Sequence, residues 1–119
     1  MVVDLLTSET LSKPQADRIF QALADATRRD ILARAIEREQ SVSALARRYE
    51  MSLTAVQKHV AVLERAALVS KQRCGREQHV GANPETLHKA STLLAAFEQL
   101  WIKRATKIAE ILAEEGAGT

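Results

Sequence analysis

One apolar series near the C-terminus restricts the folds open to this chain more than any other feature. Leu87, Ala90, Leu94, Phe97, Trp101, Ile108 and Ile111 follow one another at alternating three- and four-residue steps, and only Arg104 interrupts them. Leu93 and Leu100 widen the stripe. The spacing predicts one long helix over about residues 84–114, with a coiled-coil-like face that carries the only Trp. Asn83-Pro84 supplies a cap and a first-turn proline at its start. A chain of 119 residues builds one modest core. So small a core leaves much of this face uncovered, and pairing with a partner helix is a better reading than packing within one chain.

Composition agrees with a helical globule. Hydrophobic residues make up 46% of the chain, aromatic residues only 3%, and two Pro and four Gly interrupt it. The core therefore rests on Leu, Ile, Val and Ala. No apolar run approaches the roughly 18 residues that a membrane span needs. The start, MVVDLLTSETLSKPQ, has neither the basic opening nor the long apolar run of a secretory signal. The single cysteine, Cys74, allows no internal disulfide. A cytoplasmic protein is expected.

The charge is unevenly spread. Residues 26–80 hold eleven bases against six acids, whereas the segments on either side are net acidic. A confined basic excess is what a nucleic-acid footprint looks like, although a solvated surface would read the same way.

Residues 1–13 read as a flexible N-terminal arm, residues 14–114 as one domain and residues 115–119 as a frayed tail. Ile19, Phe20 and Leu23 suit a short helix opened by Pro14. Ala26 and Thr27 break that pattern, and a second helix follows from Arg28 to about Glu39. Ser41 caps a third helix that ends near Tyr49. After the turn Glu50-Met51-Ser52, Ser52 caps a fourth, with Val56, Val60 and Leu63 as its buried stripe. VSKQRC and EQHVGA then flank Gly75-Arg76, the pattern of a β-hairpin with a glycine-first turn. The expected class is mainly α with a small β-hairpin, in the order of a winged helix-turn-helix.

At 100° per residue, the fourth helix separates its faces. Val56, Val60 and Leu63 point to the core, while Thr54, Gln57 and Lys58 face outward in the first two turns. That is the end of a helix that enters the DNA major groove. Gln57 suits a base edge, with adenine its usual match, and Lys58 suits guanine or a phosphate. Ser52 and Thr54 suit phosphate oxygens beside the free N–H groups of the helix start. Ala55 leaves room for close approach. His59 borders the core and reads as structural or phosphate-touching before base-reading. On the wing, Lys71, Arg73 and Arg76 are placed for flanking backbone or minor groove, unless the hairpin is merely solvated.

IFQALADATRRDIL, SVSALARRYEMSLTAVQKHVAVLERAALV and the hairpin centred on Gly75-Arg76 resemble the ArsR/SmtB family of bacterial winged-helix repressors. The resemblance covers about residues 15–82, and the long final helix fits it. One departure is Ala26, where the family usually has Pro. The resemblance implies a homodimer joined through the first and last helices, with Ile19, Phe20, Leu94, Phe97, Trp101 and Ile108 at the interface. It implies binding of double-stranded DNA at an inverted repeat, and repression of the protein's own or a neighbouring promoter. Ser52, Thr54, Ala55, Gln57, Lys58 and His59 occupy the family's recognition positions, and Arg76 sits at the wing tip.

Founding members of that family sense metals. One of their sites uses paired cysteines on the third helix, but here that helix reads SVSALARRYE. Another uses Asp and His early in the last helix, with His and Glu about three turns on. Here His88 survives, but Thr86, Gln99 and Ile102 stand at the other places. Cys74 and His79 share one face of the hairpin, yet two ligands hold Zn²⁺ poorly. No metal and no cofactor is therefore expected. FEQLWIKRATKI is close to an F-x-x-x-W-x-x-R pattern of a non-metal-sensing branch.

Two other readings compete. The long helix could make the chain a protein-interaction module, and Cys74 beside basic residues could make it a redox-responsive repressor. An enzyme is not expected, because no nucleophile–base set, phosphate-cradling glycine loop or carboxylate pair stands at a plausible spacing. No effector ligand is assigned from the residues.

Overall fold

The computed structural model describes residues 11–117. Helix α1 spans Lys13–Leu23, with the Ser12 hydroxyl accepting the Gln15 N–H at 3.2 Å and Pro14 in the first turn. Leu11, just ahead of it, is buried in the core. The described end of the expected arm is therefore tied down, and residues 1–10 lie outside the described residues.

Helix α2 spans Ala26–Glu37 and starts two residues earlier than the apolar pattern suggests. The cause is Asp25, whose carboxylate accepts the Arg28 N–H at 3.0 Å and so caps the helix. That bond, first among the causes, holds the Asp25 carboxyl below its ordinary range. Ala26 falls at the first helical position, where a proline would also fit. The departure from the family pattern thus leaves the junction of α1 and α2 in place.

The next element was not anticipated. Strand β1 is only Gln40–Ser41, too short for alternation to show. Helix α3, Val42–Arg48, follows at once, and Ser41 caps it by accepting the Ala44 N–H at 3.0 Å. Helix α4, Leu53–Arg65, is capped by Ser52 through the Ala55 N–H at 3.1 Å. Strands β2, Val69–Cys74, and β3, Glu77–Ala82, form the wing, with Gly75 at φ +64° in the turn. The order β1–β3–β2 makes an antiparallel three-stranded sheet where a hairpin alone was expected.

Helix α4 ends in a Schellman turn. The Leu68 N–H reaches the Leu63 carbonyl at 3.0 Å, and the Ala67 N–H reaches that of Glu64 at 2.9 Å. Ala67 thereby sits at φ 60°, where a Cβ costs about 1–2 kcal/mol. Replacing it by glycine removes that strain, against roughly 0.5–1 kcal/mol of added unfolded-chain freedom. Ala67→Gly is therefore expected to stabilise the fold by about 0.5–1 kcal/mol. Denaturant unfolding checks this, and an unchanged or lower midpoint contradicts it.

Ile19, Ile31, Leu45, Val56, Val60, Leu63, Leu68, Val69 and Val80 close the core where α1–α4 meet the sheet. Ile19 is 0% exposed. Its expected place at a dimer interface is corrected: the side chain has no surface left for a partner. Phe20, one residue on, stays on the outer face.

The final helix, α5, spans Pro84–Ala117. It passes the expected end at Glu114, so residues 115–117 are helical where a frayed tail was expected. Asn83 does not cap it through its side chain. Its amide donates to the Ala67 carbonyl and accepts from the Ser70 hydroxyl, both at 2.9 Å. Asn83 thus ties the end of α4 to the base of the wing. The first turns of α5 join the core through Leu87, Ala90 and Leu93, and Thr86 is buried beside them. Beyond them Leu94, Phe97, Trp101 and Ile108 are all about half exposed or more, Trp101 reaching 68%. Among the described residues no helix is long and apolar enough to cross a membrane.

Candidate nucleic-acid interface

Helix α4 presents its faces as the helical period requires. Val56, Val60 and Leu63 are buried, while Ser52, Thr54, Gln57 and Lys58 are exposed. Ala55 and His59 are half-buried at the border. The helix start carries no acidic residue, so its positive end and outward N–H groups stand uncancelled.

Between this helix start, the start of α3 and the wing lies an open cleft of about 300 Å³. Gln57, Arg73 and Arg76 line it together with Val42, Ser43, Leu53, Gln78 and one acid, Glu77 at the wing turn. The strand period explains the wing's share. Arg73 and Gln78 are cross-strand partners, so they lie on the same face of the sheet. Arg73 also donates to the Gly75 carbonyl at 3.3 Å, which folds its head over the turn.

Leu53, Ser43 and Gln78 were not singled out from the sequence. Leu53 is 46% exposed at the first position of α4, an apolar group suited to a thymine methyl. An exposed leucine directly after a helix cap was the one local signal for it. Ser43 and Gln78 join only because separate elements meet here.

Lys71 is not brought into the cleft. Its ammonium lies 3.5 Å from the Glu64 carboxylate near the far end of α4. This lysine is held beside α4 and not at the wing tip. His59 serves the frame. Its Nδ1 lies 3.4 Å from an Arg28 guanidinium nitrogen. Arg28 also donates to the carbonyls of Ala22, at 2.8 Å, and Gln21, at 3.1 Å. Arginine only donates, so Nδ1 must accept and the ring proton sits on Nε2, facing away from that bond. His59 thus ties α4 to the junction of α1 and α2.

A second set of contacts fixes the turn before α4. The Tyr49 hydroxyl and the Arg34 guanidinium both donate to Asp30. The tyrosine's bond, then the arginine's, hold the Asp30 carboxyl below its ordinary range. Burial and the same bond push the Tyr49 phenol up. The turn that sets the angle between α3 and α4 is therefore pinned to α2.

The expectation of no metal ligands meets one departure. Cys74 and His79 do share a face of the wing, and Glu39 joins them. On the last helix His88 is exposed, with Thr86 buried in place of an acid.

Comparison with known proteins agrees with this fold. The family profile of a helix-turn-helix domain matches residues 23–72. The HTH-type transcriptional regulator Rv2034 of Mycobacterium tuberculosis is 34% identical over 103 residues, covering 87% of this chain and 94% of that protein. An ArsR-like transcriptional regulator from Rhodococcus sp. RHA1 superposes with a TM-score of 0.73 at 33% identity, covering 82% of this chain and 92% of that one. The homodimeric winged helix-turn-helix domain of Mb0332 from Mycobacterium bovis shares the fold, with a TM-score of 0.60 at 24% identity, over 72% of this chain and 81% of that one.

Proposed function

The chain belongs to the ArsR family of winged helix-turn-helix transcriptional regulators, DNA-binding proteins rather than enzymes, and from that membership we propose that it is a homodimeric repressor of an inverted-repeat operator. The observation that carries this reading is the cleft, where Gln57 from α4 meets Arg73 and Arg76 from the wing. Gln57 and Lys58 read base edges, helped by Leu53. Ser52, Thr54, Arg73 and Arg76 hold phosphates and set the register. His59 positions α4, and Lys71 braces the wing through Glu64.

The dimer forms through the outer face of α1 and the exposed stripe of α5. Phe20, Leu94, Phe97, Trp101 and Ile108 pack against the same residues of a second copy. A two-fold axis then separates the two recognition helices by one helical turn of DNA, about 34–36 Å. The Mycobacterium bovis domain of the same fold is homodimeric, which supports a dimer here. The protein belongs to a branch that senses no metal on its third or last helix, because those helices lack the ligands.

Gel retardation with the DNA upstream of the gene tests the proposal. Specific retardation is expected at low salt, weakening by roughly 100-fold or more between 50 and 200 mM salt as phosphate contacts are screened. No retardation at low salt would favour a protein-interaction module instead.

A further inference from the structure

We propose that Glu39, Cys74 and His79 form a binding site for a thiophilic divalent ion of the Zn²⁺ class, which clamps the wing to the segment entering the helix-turn-helix. The three donor atoms lie within 4.8 Å of one another. A Glu39 carboxylate oxygen is 2.8 Å from His79 Nδ1 and 4.0 Å from Cys74 Sγ. Tetrahedral Zn²⁺, bonded at about 2.0–2.3 Å, asks for donors roughly 3.3–3.7 Å apart. Rotamer adjustments of about 1 Å or slightly more reach that spacing.

Sheet register brings these residues together. Gln72 pairs with His79 and Cys74 with Glu77, so all four side chains share the face opposite Arg73 and Gln78. Ser41 pairs with His79, which delivers Glu39 to the same edge. Glu77 completes the arrangement. Its carboxylate lies 3.1 Å from His79 Nε2, so it orients the imidazole while Nδ1 faces the other two donors.

The donor set selects the ion. One thiolate, one imidazole and one carboxylate suit Zn²⁺ or Co²⁺, whereas Mg²⁺ and Ca²⁺ prefer all-oxygen shells. The site is open to solvent, so water fills the fourth position. Binding displaces one proton from the Cys74 thiol and, where His79 is protonated, one from its ring. No electron is transferred.

Glu39 stands three residues before α3, and Cys74 adjoins the wing turn. An ion between them ties these two segments on the face opposite the cleft. A pre-set wing favours DNA, and so does the one positive charge gained where His79 starts neutral. The effect on DNA rests on the repressor reading, but the site itself does not.

The test titrates the full chain, reduced by a non-thiol reductant, with Co²⁺ in the absence of DNA. One ion per protomer is expected, with a thiolate-to-Co²⁺ absorption band and the visible bands of tetrahedral cobalt, bleached by Zn²⁺. Cys74→Ser should abolish the thiolate band. Glu39→Gln and His79→Gln should each weaken binding by at least about tenfold. All three positions are on the surface of the sheet, and circular dichroism shows whether the variants stay folded. No thiolate band in the folded wild-type chain overturns the proposal. So does Co²⁺ affinity unchanged in both the Glu39 and His79 variants, since the cysteine would then be acting alone. Operator affinity measured with and without Zn²⁺ separates the two readings: a metal site with unchanged DNA binding removes only the coupling.

Discussion

Trp101→Glu is expected to turn the protein into a monomer and to remove operator binding. Trp101 is 68% exposed in the single chain, on the same helix as Leu94, Phe97 and Ile108. Burying such side chains stabilises by about 1.5–3 kcal/mol each, and α5 offers several of them. A carboxylate in the middle of that contact loses the tryptophan's share and adds the cost of an unpaired buried charge. A loss of about 4 kcal/mol or more weakens dimerisation roughly a thousandfold. Monomers bind one half-site only and forfeit the gain of two linked contacts. The core should survive, because α5 joins it through Leu87, Ala90 and Leu93, two turns or more earlier. Sedimentation velocity and gel retardation read the two consequences. A stable dimer that still binds its operator would contradict the interface.

The second large effect is expected at the start of α4. Gln57→Ala should weaken operator binding by about 1–3 kcal/mol, roughly 5- to 150-fold, and relax preference at one base pair of each half-site. Lys58→Ala should weaken it as well and, where the ammonium meets a phosphate, lower the salt slope by about one per contact. Both side chains are exposed and outside the core, so neither change should alter the dimer. Unchanged affinity in both variants would end their assignment as reading residues.

The second prediction uses side chains whose outward direction was legible in the sequence. Thr54, Gln57 and Lys58 fall opposite Val56, Val60 and Leu63 on any helix of 3.6 residues per turn, and the structure exposes the first three and buries the others. The caps at Ser41 and Ser52 were equally legible, since each depends on a hydroxyl three residues from its N–H partner. The wing's two strands and its Gly75 turn match the expected segments for the same reason. Where a local signal was misread, a specific hydrogen bond explains it. Asp25 begins α2 early because it caps, and Asn83 does not cap because Ala67 and Ser70 take its side chain.

Other features could not be read this way. An apolar residue in a helical stripe must be buried, but periodicity does not say in which core. Ile19 goes to the chain's own core, although the family resemblance placed it beside Phe20 on an outer face. A basic residue on a strand is outward or paired according to what passes beside it, and Glu64 passes beside Lys71.

Local spacing in the sequence, then, determined the helices, their caps, the wing and the outward face of α4, because each rests on groups within about one turn or one strand pair of each other. Tertiary structure alone decided the short strand β1, the cleft that gathers Gln57 with Arg73 and Arg76, and the meeting of Glu39 with His79 across 40 residues of chain. Such meetings follow from how the whole chain closes around its core, and no pattern within one segment carries that information.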